Sequence, residues 1–433
     1  MTAPALLVEG ALADTASRLC PLLDRATSSD PAVLARTAEI IARVRADGDD
    51  ALRALARELD GVELAALEVD GALLRRALDA LDPALRRAME RAARNIAAAH
   101  RAFLPQPVEV ETEPGIIVGR RADPLDSVGV YAPGGRAAYP SSLLMGAIPA
   151  RVAGVSSVIV CSPPGADGRP APVVLAAAAL ADVDHVFAVG GAGAVAAMAL
   201  GTATVPTVRR IVGPGNAYVA EAKIQLAGVV GIDSPAGPSE LLVIADQSAS
   251  PAAVAREVVA QAEHDPRAGV VVVAIGEEVA RRIAAALAAV VEATPRRAIV
   301  REALARCGAL LWCDALADAI AFANEYAPEH LLLALRDADD ALRAVRNAGT
   351  VFLGETSSVA FGDHLTGANH VLPTGRAARA YSGLSTLDFV RWTTYQRVQP
   401  AAAARLSADV GVFADAEGLP AHAAAARAWG AVA

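Results

Sequence analysis

From residue 156 to residue 292 the chain alternates short, nearly all-apolar runs with longer helix-forming ones, and no other feature limits its fold so tightly. The runs SSVIV, HVFAVGG, RRIVGPGN, LLVIAD and GVVVVAIG are rich in β-branched residues and have no clear polar face. A strand without a polar face must be covered from both sides. Between these runs lie PVVLAAAALAD, AVAAMALG, the segment ending QAEHD, and EEVARRIAAALAAVVE, all helix-forming. The pattern predicts an α/β fold with mostly parallel strands and helices on both faces. Residues 30–60 and 71–103 also read as helical by their apolar spacing. After Tyr381 the pattern weakens into a helical tail. Two Pro/Gly-rich junctions, DPLDSVGVYAPGG at 123–135 and DSPAGPSE at 233–240, enclose a segment sized for one small α/β domain.

Composition narrows the function. A net charge of −9 argues against a basic phosphate-binding face, so no nucleic-acid partner is expected. The start MTAPALLVEG lacks the basic residues and apolar block of a signal peptide. The uncharged run Val186–Val208 is long enough to span a bilayer. Its glycines and Pro206 make it a buried strand–turn–helix instead, and no membrane partner is expected. Cys20, Cys161, Cys307 and Cys313 form no CxxC pair, which fits a reduced cytoplasmic protein. Lys223 is the only lysine, read here as a compositional bias toward arginine.

Five of the seven histidines fall in four short polar stretches, and this clustering points to a shared site with metal or proton chemistry. In SPAAVAREVVAQAEHDP, Ser250 is a plausible N-cap, Pro251 opens the helix and Pro266 stops it. Gln261 and His264 then share a face of its last turn, where they could hold a divalent metal. The plainer reading is a histidine beside a helix C-terminus. In APEHL, Glu329 and His330 sit at a helix-to-strand turn and offer two bases of different strength. An adjacent Glu-His in a loop is more often solvated surface. GDHLTGANHVLPT crowds Asp363, His364, Asn369 and His370 into a glycine-punctuated loop. In EGLPAH, Glu417 and His422 flank a helix-opening proline.

Two further features bear on chemistry. Gly191 to Ala196 satisfies G-x-G-x-x-A before a helix, an arrangement suited to a pyrophosphate. No acidic residue follows about 20 positions later to hold a ribose, so the fingerprint is incomplete. VGPGN at 212–216 is a second glycine turn after a strand. Cys161 could serve as a thiol nucleophile for aldehyde oxidation, but nothing nearby in sequence would activate it. A small buried strand residue is the simpler reading.

Taken in order, VYAPGGRAAYPSSLLMGAIPARVAGV, IVGPGN, IDSPAGPSELLVIAD, QAEHD, APEHL, GANHVLPT, SGLSTLDF and EGLPAH resemble the histidinol dehydrogenase family, from about residue 30 to 425. The resemblance implies oxidation of L-histidinol to L-histidine through L-histidinaldehyde, the last step of histidine biosynthesis, with two NAD and one zinc ion per site. It implies two incomplete Rossmann-like domains with small terminal segments in an intertwined homodimer. The first domain would join residues 25–129 to 240–380, and the second would take 130–239. Residues 1–24 would form an N-terminal arm, and the tail 381–433 would reach the partner's active site. Zinc would fall on Gln261, His264, Asp363 and His422, with His422 supplied by the partner. The acid–base pair would be Glu329 and His330. His330 would take the alcohol proton and later deprotonate the hydrate, and Glu329 would activate water. The metal ligands and His330, together with Ser239, His370 and Glu417, would contact substrate; Tyr131, Gly193 and Asn216 fall at NAD contacts.

Gly193 stands where the family has glutamine, His364 where it usually has tyrosine, and Gly146 where asparagine is common. The main alternative is a related zinc/NAD dehydrogenase of another small polar alcohol, such as a sulfonated diol. A zinc hydrolase using Glu329 would turn over without NAD, and no HExxH supports it. A catalytically silent binding protein has no reason to keep all six metal and base residues.

Overall fold

The structure is a computed structural model that describes residues 4–15, 20–23, 30–134 and 138–431. Among them the strands form three sheets. The largest has six parallel strands in the spatial order Val8–Ala11, Gly308–Cys313, Gly269–Ile275, Glu240–Ala245, His330–Ala334 and Thr350–Leu353. The second has five parallel strands in the order His185–Phe187, Ser157–Cys161, Ser127–Tyr131, Arg210–Val212 and Gly231–Ile232. The third is a small antiparallel sheet of Val390–Val398, Ile116–Pro124 and Val108–Glu113.

The apolar runs have the physical role their composition demands. Every residue of Glu240–Ala245 is buried, because both faces of the sheet are covered. Leu241 and Val243 face Val254, Val258 and Ile283, whereas Leu242 and Ile244 face Phe322 and Tyr326. The N-terminal helices Pro31–Leu55, Gly71–Asp79 and Pro83–Ala102 put Ile40, Leu52, Leu74 and Ile96 into the core of the five-stranded sheet. All five strands of that sheet lie between residues 127 and 232, so the junction 233–239 carries the chain from one parallel sheet to the other.

Several local expectations need correction. The helical stretch expected over 71–103 divides at Ala80–Asp82. Asp82 caps a new helix by accepting the N–H groups of Ala84 and Leu85, and Pro83 starts it. The stretch expected over 30–60 has non-helical backbone at Gly48 and ends in the π-helical turn Ala56–Asp60. The tail is not wholly helical: Val390–Val398 pairs antiparallel with Ile116–Pro124. A partner so remote in sequence leaves no local signal. The helices Pro400–Ala416 and Pro420–Arg427 follow it and pack on each other. Val186–Val208 is the expected strand and helix, and among the described residues no helix is long and apolar enough to cross a membrane.

Candidate functional site

The helix Pro251–Ala262 begins as its sequence indicates. Ser250 accepts the Ala253 N–H at 3.4 Å, and its own N–H donates to Glu355 at 2.6 Å. The helix ends at Ala262, so Gln261 lies in the last turn and is buried, but His264 lies in the turn beyond it and is exposed. Glu257, one turn before Gln261, accepts the N–H of Val359 at the start of the short helix Val359–His364. Asp363 is one turn further along that helix. Asp363 and His364 are therefore helical and not part of a loop; the loop begins at Leu365.

The third contributor is the turn between helix Leu316–Tyr326 and strand His330–Ala334. Ala327 caps the helix with φ 49°, a left-handed conformation strained for a residue with a Cβ. Glu329 Oε2 accepts from Ser239 Oγ and from the Glu240 N–H, both at 2.7 Å. His330 Nδ1 is 2.9 Å from the Glu240 carbonyl, which can only accept, so Nδ1 carries the proton. Whenever the ring is neutral, Nε2 has a free lone pair. It is buried without a hydrogen-bond partner, 3.6 Å from Asp363 Oδ1.

Electrostatics in this cluster are coupled. Burial opposes charge on His330, but the Glu329 and Asp363 carboxylates outweigh it and hold the imidazole well above its ordinary value. Burial likewise pushes the Asp363 carboxyl up, and His330, His370 and His264 more than reverse this. His370 is held below its ordinary value by burial. Its Nδ1–H donates to the Asp363 carbonyl at 2.8 Å, and its Nε2 lies 3.2 Å from Ser142 Oγ.

Gln261, His264, Asp363, His330, Glu329, Ser239 and His370 thus belong to one neighbourhood. Glu417 and His422 do not join it: both are exposed, at the turn between the two C-terminal helices and on the second of them. Among the described residues of one chain, no three His, Cys, Asp or Glu side chains group as a metal site. The donors Gln261, His264 and Asp363 nevertheless fit a divalent cation. The Gln261 amide nitrogen is buried with no hydrogen-bond partner, and turning the amide about its last bond puts the oxygen there instead.

A second site lies on the five-stranded sheet. Tyr131, Gly193 and Asn216 line a cavity of about 370 Å³, shared with Asp60 and the backbone of Gly190 and Gly191. Helix Gly191–Leu200 begins at its wall, so the first turn of the helix borders the space. The Gly191 N–H donates to the Tyr131 hydroxyl at 3.0 Å, and burial pushes that phenol up to about 12. Asn216 already accepts the Tyr218 and Val219 N–H groups as the N-cap of helix Ala217–Leu226. A Cβ at Gly193 would lie 3.1 Å from Leu55 Cδ1. Cys161 is fully buried, and burial pushes its thiol far up, which removes the nucleophile reading.

The histidinol dehydrogenase family model matches residues 23–429. The chain belongs to the histidinol dehydrogenase family. It is 44% identical over 410 residues to the histidinol dehydrogenase of Methanothermobacter thermautotrophicus, covering 95% of this chain and 96% of that one. It is 48% identical over 416 residues to that of Halobacterium salinarum, covering 96% and 97%. The crystal structure of histidinol dehydrogenase from Elizabethkingia anophelis superposes with a TM-score of 0.94 at 32% identity, covering 99% of both chains.

Sequence reading passed over three supports of this candidate site. Ser142 sits against His370, Glu240 Oε1 accepts the Gly375 N–H at 2.9 Å, and Thr374 Oγ1 accepts the Gly237 N–H. Each lies inside a quoted motif, but what it touches depends on chain brought together from more than 100 residues away.

Proposed function

We propose that this chain oxidises L-histidinol to L-histidine through L-histidinaldehyde in the cytoplasm, with zinc and NAD. The observation that carries the reading is the pair Glu329–His330, two bases side by side and held differently, in a chain of this family. Two successive oxidations need a base for the alcohol and a base for the water that adds to the aldehyde. His330, with Nδ1–H fixed on the Glu240 carbonyl, presents Nε2 to take the alcohol proton and, once that proton has been released to solvent, the proton of the aldehyde hydrate. Glu329, fixed by Ser239 and the Glu240 N–H, draws the proton from the attacking water.

Gln261, His264 and Asp363 would hold zinc together with the partner subunit's His422. Zinc bound there would orient the substrate and take up the charge of Asp363, which favours the neutral His330 that a base requires. NAD would supply the hydride acceptor in each oxidation. The cavity of Tyr131, Gly193 and Asn216 would take it, with the N-terminus of helix Gly191–Leu200 toward the pyrophosphate. His370 and Glu417 are assigned to the substrate. A homodimer with shared sites is supported by exposed Val412, Phe413, Leu419 and Trp429 on the C-terminal segment that carries His422.

The test is NADH formed per L-histidinol consumed. Two equivalents, abolished by chelation and restored by zinc, are expected; none, from a folded zinc-loaded protein, would overturn the reading. Sharing of sites has its own test. Inactive Glu329→Gln chains mixed with inactive His422→Ala chains should regain activity, and mixtures that stay inactive after subunit exchange would exclude a shared site.

A further inference from the structure

Lys223 is the only lysine among 39 basic residues, and it is buried at the centre of a closed polar ring. Its Nζ donates to Asp233 Oδ1 at 2.6 Å and to the Gly213 carbonyl. Asp233 Oδ2 accepts the Gly213 N–H at 2.7 Å. Both polar groups of Gly213 are thus held by one ion pair whose side chains are each 4% exposed. Gly213 needs that hold: its φ is +111°, and a Cβ there would lie 2.2 Å from the Tyr131 carbonyl oxygen. An ammonium is a compact point charge, whereas a guanidinium is a planar fork. This pocket, with two acceptors on one nitrogen, suits lysine, which accounts for its presence in a chain that otherwise uses arginine.

The ring joins three pieces. Gly213 opens the turn leading to Asn216 at the NAD cavity, and it presses on Tyr131 in the cavity wall. Lys223 lies on the helix that Asn216 caps. Asp233 is the first residue of the junction to the six-stranded sheet, which ends at Ser239 against Glu329. We infer that Lys223 and Asp233 are positioning residues: their ion pair fixes the 213–216 turn and so sets the shape of the cofactor cavity and its place beside the acid–base pair. This rests on the cavity being the NAD site.

Two measurements test it. In Lys223→Met/Asp233→Asn, which removes both charges together, the NAD dissociation constant should rise at least about tenfold, while L-histidinol binding without NAD changes less than about twofold. NAD affinity within twofold of wild type, in a folded dimer, would overturn the inference. Should the variant not fold, the unmodified protein decides. Labelling with 15Nζ-lysine gives one side-chain signal, which should shift when NAD saturates and stay put with histidinol alone. A signal unmoved by saturating NAD overturns the clamp. If Ala192→Trp, which fills the cavity, leaves NAD binding intact, the cavity assignment fails instead.

Discussion

The six-stranded sheet places Glu240, Glu329 and His330 at the amino ends of its strands, whereas the five-stranded sheet opens its cavity beyond the carboxyl ends. Glu240 and His330 are the first residues of their strands; Tyr131 is the last of its own, and Gly190, Gly191 and Asn216 follow strand ends. In parallel α/β sheets, helices start near the carboxyl edge and finish near the amino edge. The carboxyl edge therefore presents N–H groups and partial positive charge, which suit a pyrophosphate. The amino edge presents helix C-termini, here those of Pro251–Ala262, Leu316–Tyr326 and Val359–His364, whose partial negative charge suits a metal ion and an amine. The junction 233–239 leads from the carboxyl edge of one sheet to the amino edge of the other. Seven extended residues reach at most about 25 Å, which limits how far apart these two edges can lie.

If one edge works through side chains and the other through backbone, substitutions should separate them. The largest effect belongs to the acid–base pair: Glu329→Gln should lower kcat for NADH formation by about 10²–10⁴ without unfolding the protein. A normal rate would remove Glu329 from the chemistry. Next comes Gly349, where a Cβ would lie 2.6 Å from the Glu329 carbonyl oxygen. Gly349→Ala should shift that turn and cost on the order of tenfold to a hundredfold in kcat/KM, as small displacements of reacting groups do. An unchanged rate would mean that the turn tolerates movement.

On the other sheet, Asn216→Ala should raise KM for NAD only a few-fold, because backbone N–H groups carry the cavity. Its lost cap should cost about 1 kcal/mol of stability, read from denaturant unfolding. A hundredfold rise in KM would show that side chains dominate there too.

His100 supplies a pH-dependent effect on the five-stranded side. Neither ring nitrogen has a hydrogen-bond partner, and burial lowers its pKa from 6.5 to about 4. Between those values the unfolded chain binds more protons than the folded one, so stability falls as pH drops from 6.5 toward 4. His100→Leu should flatten that slope in urea titrations. A slope unchanged by the substitution would assign acid sensitivity elsewhere. The smallest effect is at Ala327, where glycine removes left-handed strain and should raise stability by about 1 kcal/mol at most.

The sequence by itself determined the alternation of buried strands and helices, because a strand with no polar face leaves only a sheet covered on both sides. It also determined local punctuation such as Ser250–Pro251 and the turn before His330, since capping and proline act within a few residues. Motif order was enough to show family resemblance. Tertiary structure alone decided which sheet the N-terminal helices cover and that Val390–Val398 is a strand. It decided that Ser239 and Glu240 hold the Glu329 carboxylate from 90 residues away, and that Lys223 closes a ring and is not a trace of composition. The physical reason is the same in each case. Periodicity and capping are local, but what a buried polar atom bonds to depends on which distant chain is folded against it.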